Sequence, residues 1–76
     1  MVLQIGPHDF TFFSLDRHEP MHIHVKRDRL IAKFWLDPVE LARNRGFSAN
    51  EVNRIERLVH ANRVLLMEAW RDYLGA

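Results

Sequence analysis

The chain has 76 residues, enough for one small domain, 1–76, and too few for a second. It contains no cysteine, which excludes disulfides and thiolate metal sites. Eleven Lys and Arg stand against ten Asp and Glu, a net charge of +1, which argues against a purely electrostatic nucleic-acid binder while leaving room for a local basic patch.

No apolar run approaches the ~18 residues needed to span a bilayer. The opening residues, MVLQIGPHDF, lack the basic start and long apolar core of a secretory signal. The expectation is a soluble cytoplasmic protein that does not engage a membrane.

In chain order, Gly6-Pro7 separates a first short apolar piece from the aromatic run after it. Residues 10–14, FTFFS, are aromatic and Thr-rich and read as a strand. Asp16 to Pro20 reads as a polar loop, with Pro20 before or at the edge of the next strand. Residues 22–26 alternate His, Ile, His, Val, Lys, the period of a half-buried strand. Residues 30–36 alternate as well, and the short gap at Arg27-Asp28-Arg29 makes the whole of 22–36 a β-hairpin. A two-residue loop at Asp28-Arg29 sets Val25 beside Ala32 and Ile23 beside Phe34 on the core side. It sets His24 beside Lys33 and His22 beside Trp35 on the other. A four-residue loop, which slides this register by two, is the rival. Asp37-Pro38 ends the second arm, and Val39 to Ala42 fits a further short strand or a helical turn.

Phe47-Ser48-Ala49-Asn50-Glu51-Val52 is a helix start, with Ser48 as N-cap, Glu51 completing a capping box, and Phe47 and Val52 as a hydrophobic staple. One long helix is predicted over about 49–74, stopped by Gly75. Its core stripe is Val52, Ile55, Val59, Leu66, Trp70 and Tyr73, widened by Leu58, Leu65 and Ala69; Val64 and Met67 lie outside it. The predicted fold is α+β: a small antiparallel sheet of three to four strands around the 22–36 hairpin, packed on one face by the C-terminal helix.

His22 and His24 point the same way on a strand, so two imidazoles share one face. Three readings stay open for them. They are a solvated strand face, an acid/base or nucleic-acid contact, or two ligands of a metal with His18 or Glu19 as the third. Lys33, beside His24, opposes a bound cation. The face carrying His22, His24, Lys26, Ile31, Lys33 and Trp35, with Arg27 and Arg29 at its turn, interleaves basic groups with aromatic rings. That mixture suits stacking on bases while pairing with phosphates. Cover by a partner protein or by residues 1–5 explains the same face. Val64 and Met67, off the helix stripe, mark a second candidate contact surface for a partner or a second copy of the chain. Arg54, Arg57, Arg63 and Arg71 among Glu56, Glu68 and Asp72 read as a solvated surface. There is no glycine-rich phosphate loop, no nucleophile triad spacing, and no cofactor motif.

The run Phe12-Phe13-Ser14, then Pro20, His22-Ile23-His24-Val25, Ala32-Lys33-Phe34-Trp35, Gly46-Phe47-Ser48, Glu51 and the late Trp70 resembles the bacterial domain-of-unknown-function family numbered 4160. The resemblance spans nearly the whole chain. Many members carry two prolines before the first histidine, and here Met21 takes the second place. The resemblance implies a small bacterial protein, often encoded beside a second small protein in pairs that look like toxin–antitoxin modules. It supplies no catalytic residues. By analogy of fold alone, small RNA-cutting toxins place a strand histidine beside basic groups on a sheet face.

Two functions are consistent with these residues. The first is an interaction module of such a pair, contacting partner protein or RNA. The second is a metal-independent ribonuclease with His22 or His24 as general acid/base and Lys33 as charge stabiliser.

Overall fold

The computed structural model describes residues 2–12 and 18–74. Among these residues five strands run in chain order: β1 Val2–Ile5, β2 His8–Thr11, β3 His22–Arg27, β4 Leu30–Leu36 and β5 Val39–Arg45. Each pairs antiparallel with its sequence neighbour, giving a meander of order β1-β2-β3-β4-β5. Two helices complete the chain, α1 Ala49–Ala61 and α2 Arg63–Leu74. The class is α+β as expected, but the sheet has five strands, not three or four, and the helix is broken.

Alternation builds the sheet. Ile23, Val25, Ala32, Phe34 and Leu36 share one face with Phe10 and are all buried, joined in the core by Phe12, Phe47, Ile55, Val59, Leu66 and Trp70. The hairpin has the two-residue loop, with Val25 opposite Ala32, Ile23 opposite Phe34, His24 opposite Lys33 and His22 opposite Trp35. Asp28 supplies the positive φ, 56°, that the tight turn demands. Its short polar side chain tolerates that region better than most. The β1–β2 turn uses Gly6, at φ 59°, before Pro7.

Strand β2 begins at His8, two residues before the predicted strand, and of the predicted 10–14 run residues 13 and 14 lie outside the described residues, as do 16 and 17 of the predicted loop. Asp37-Pro38 does end β4, through a cis peptide, and the segment after it is extended over Val39–Arg45.

A β-bulge separates two registers in the β4–β5 ladder. Phe34 faces Leu41, whereas Lys33 faces Arg43, so Ala42 is the extra residue. Its effect is to reset parity: Val39, Leu41 and Asn44 take the helix side, and Glu40, Arg43 and Arg45 take the other.

Asn44 then closes the path into α1. Its Nδ2 donates to the Phe47 carbonyl at 2.9 Å and its Oδ1 accepts from the Phe47 amide at 3.1 Å. Gly46, at φ 96°, makes the turn between them; a Cβ there would lie 2.5 Å from Leu30 Cδ2.

Ser48 caps α1, its Oγ accepting from the Glu51 amide at 3.2 Å. The reciprocal half of a capping box is not used, because the Glu51 carboxylate is engaged elsewhere. The single rod expected over 49–74 ends at Asn62, whose φ of −111° and ψ of 15° are not helical. Asn62 Nδ2 donates to the Leu58 carbonyl at 2.8 Å, and the Asn62 carbonyl accepts from the Leu66 amide at 2.8 Å, so one residue closes α1 and opens α2. A straight rod of that length would be roughly 37 Å long, against a longest molecular dimension of 33 Å; the break keeps both halves on the sheet.

The second helix is aimed by Arg63, whose Nε donates to the Leu36 carbonyl at 2.9 Å and whose Nη2 meets Asp37 Oδ1 at 2.8 Å. Arg63 is therefore a tether rather than part of a solvated face. Re-aiming α2 also redistributes the predicted stripe: Leu66 and Trp70 are buried and Met67 packs against the core, while Leu65 and Tyr73 are about half exposed. Val64 is 64% exposed, as its place off the stripe predicted. Among the described residues, no helix is long and apolar enough to cross a membrane.

Candidate functional site

The sheet face opposite the helices is organised in cross-strand rows. One row runs Thr11, His24, Lys33, Arg43 over β2 to β5. The next runs Asp9, Lys26, Ile31, Arg45, and a third runs His22, Trp35, Glu40. Between the first two lies a depression of about 320 Å³ lined by Glu19, His24, Ile31, Ala32, Lys33, Arg43 and Arg45. Cations dominate this lining. Lys33 pairs with Glu19, its Nζ also standing 4.7 Å from the centre of the Trp35 ring. Arg43 and Arg45 are exposed and meet no carboxylate among the described residues.

Sequence reasoning placed His24, Lys26, Lys33 and Trp35 on this face, and the structure brings them together there. It missed Arg43 and Arg45. The period-two spacing of the two arginines was the available signal, but the bulge at Ala42 hides which face they take.

His22 corrects the expectation of an exposed pair of imidazoles. It stands at the end of β3 where α2 crosses, fully buried. Its ring centroid is 4.9 Å from Trp70, 5.6 Å from Trp35 and 5.2 Å from His24. Its Nδ1 lies 2.8 Å from the Pro20 carbonyl. A carbonyl only accepts, so Nδ1 carries the proton. His24 is half-buried and lines the depression.

Arg27, expected to flank the turn as a nucleic-acid contact, is turned away to the helix. Its Nε and Nη2 donate to the two Glu51 oxygens at 2.6 and 2.7 Å, a bidentate pair. His8 Nε2 meets Glu51 Oε2 at 3.1 Å, and Arg27 also stands 5.9 Å from the Phe47 ring centre. The Arg27 hydrogen bonds, aided by His8, hold the Glu51 carboxyl at about 2, against an ordinary 4.5, and burial opposes them. This constellation ties β2, β3 and α1 together and is structural. Arg29 is exposed at the turn, and Met67 is a core contact rather than an outer one.

Among the described residues no three His, Asp or Glu side chains gather as a metal site. A second, mostly apolar depression of about 460 Å³ lies between the β1–β2 turn and α1, lined by Pro7, Leu58, Arg54 and Arg57 among others.

Most of the sheet, with the hairpin and the late tryptophan, falls within the stretch 9–71, which matches the family described as domain of unknown function (DUF4160). The chain belongs to this family. The DUF4160 match takes in most of β2, all of β3 to β5 and α1, and most of α2, so the depression is part of the DUF4160 unit itself. No curated protein and no solved structure matches the chain.

Proposed function

We propose that this chain is one component of a bacterial, cytoplasmic two-protein module of the toxin–antitoxin kind, working through contact with its partner protein and with RNA. The observation that carries the reading is the row Thr11, His24, Lys33, Arg43 with Arg45 beside it. In a chain of nearly balanced charge, this depression gathers Lys33, Arg43 and Arg45 against Glu19, next to a half-buried indole, Trp35. Basic groups beside an aromatic ring suit a nucleic-acid strand, whose phosphates and bases each find a counterpart. The exposed Val64 on α2 offers a separate apolar contact for the partner protein.

The test is co-expression with any small protein encoded beside it, then co-purification and ultraviolet cross-linking to RNA. The expected result is a stoichiometric pair, with RNA cross-links that Arg43→Glu/Arg45→Glu abolishes and Val64→Asp leaves intact. A chain that purifies alone and carries no cross-linked RNA overturns the reading.

The ribonuclease reading is supported by one observation: His24 and Lys33 stand opposite each other in the same depression. There His24 would be the general acid/base and Lys33 the charge stabiliser, with buried His22 positioning His24. Cleavage of RNA in the presence of a chelator, lost in His24→Ala, is its test; RNA left intact by wild type refutes it.

A further inference from the structure

We propose that the open-face depression is a phosphodiester site for single-stranded RNA, in which the Glu19 carboxylate holds the place of the phosphate until RNA displaces it. This deepens the RNA contact proposed above and rests on it.

The depression is electrostatically uneven. Lys33 and Arg43 are direct cross-strand neighbours, and Arg45 lies next along β5 on the same face. Like charges set opposite each other repel, so this arrangement gains from an anion between them. Among the described residues the one carboxylate lining the depression is Glu19, and it engages Lys33. It is thus an internal anion seated among more cations than it neutralises.

Glu19 is also easily removed. Its side chain is 46% exposed, so solvent screens its contacts with Lys33 and with His22 Nδ1, 3.9 Å away, from the Glu19 side. It belongs to the turn before β3 rather than to a strand, so its departure breaks no ladder hydrogen bond. The guanidinium groups that remain present paired donors matched to two phosphate oxygens, which a flexible lysine does not.

The same movement frees the ring beside it. Lys33 Nζ covers the Trp35 face while it is held by Glu19. A phosphate that replaces Glu19 draws Lys33 toward the depression and leaves the indole open to a base. A free phosphate offers only the first contact, and an acidic peptide offers no base to stack. A single nucleic-acid strand uses both, and RNA is the strand that the function proposed above supplies.

The experiment is a fluorescence titration of the whole chain with a short single-stranded RNA, with inorganic phosphate and with poly-glutamate as separate arms. Glu19→Gln is compared with wild type and with Glu68→Gln, which removes the same charge from the exposed side of α2. Releasing a partly exposed ion pair should tighten RNA binding about twofold to fivefold in Glu19→Gln. Glu68→Gln should change it less than about twofold, because distant exposed charges are screened. Glu19→Ala, with matching circular dichroism, should behave as Glu19→Gln does. Equal RNA binding by wild type and Glu19→Gln, lost in Arg43→Ala, overturns the role of Glu19 and leaves the RNA contact standing. An equal gain in Glu68→Gln also overturns it, by reducing the effect to net charge. No RNA binding by any form overturns both. Poly-glutamate bound more tightly than RNA reassigns the face to an acidic protein and overturns the proposal.

Discussion

The imidazole of His22 lies 4.9 Å from the indole of Trp70, centroid to centroid, and neither ring has appreciable contact with solvent. A strand that otherwise alternates between core and open face is therefore capped at its first residue by the second helix. His22 and His24, two residues apart and pointing the same way, have different jobs: the first seals the seam between β3 and α2, and the second lines the open depression.

That division gives a direct expectation. His22→Ala removes a fully buried ring and should destabilise the fold by about 1–3 kcal/mol, the usual cost of a buried truncation. His24→Ala removes a half-buried ring and should cost less than His22→Ala. Urea denaturation of the two variants decides it; equal losses would show that His24 is as structural as its neighbour.

Glu51 gives the protein an acid-sensitive joint. Its folded carboxyl titrates near 2, below its ordinary 4.5. A carboxyl depressed in the folded state stabilises fully above its unfolded value and loses that contribution as pH falls through the folded one. The urea midpoints of wild type and Glu51→Gln should therefore differ most above pH 4.5 and converge as pH falls toward about 2. A gap that holds constant through that window would show that Arg27 and His8 do not set the titration.

The two glycines of positive φ among the described residues should respond unequally. Gly6→Ala meets nothing within 4 Å, so it bears only the left-handed penalty of about 1–2 kcal/mol. Gly46→Ala adds a collision with Leu30 Cδ2 to a more extreme φ and should cost more. Pairing it with Leu30→Ala should make the two losses less than additive in thermal denaturation. Strict additivity would exclude the collision.

Asn62→Ala tests the break between the helices. Alanine is the better helix former by a few tenths of a kcal/mol, yet the change deletes the bond from Nδ2 to the Leu58 carbonyl. A typical hydrogen bond is worth about 0.5–1.5 kcal/mol. The net expectation is a small loss of stability with unchanged far-ultraviolet circular dichroism. A gain would mean that a continuous helix is as well accommodated as the broken one.

The hairpin could be read from sequence down to its register, because alternation on both arms and a short gap leave few pairings that keep Ile23, Val25 and Phe34 inside. The helix start was equally plain in Phe47, Ser48 and Glu51. The features that eluded reading depend on contacts between distant segments. Apolar spacing continues across Asn62, from Val59 to Leu66, so periodicity alone sees one helix. Glu51 has the position of a capping residue, and nothing local reveals that Arg27 will claim it. The candidate site was half visible for the same reason. His24, Lys33 and Trp35 are placed by the hairpin, whereas Arg43 and Arg45 reach the same face only through a bulge, and the burial of His22 needs Trp70.

Both helices are pinned by an arginine at their beginnings: Arg27 reaches from the sheet to Glu51 in the first turn of α1, and Arg63 reaches from the first residue of α2 to Leu36 and Asp37. Their far ends have no such fastening among the described residues: α1 runs into Asn62, and α2 runs out past half-exposed Tyr73. Fraying should accordingly travel backward along α2. Amide hydrogen exchange should be quickest near its end and slow progressively toward Leu66, and Arg63→Ala should erase that gradient by loosening the pinned end as well.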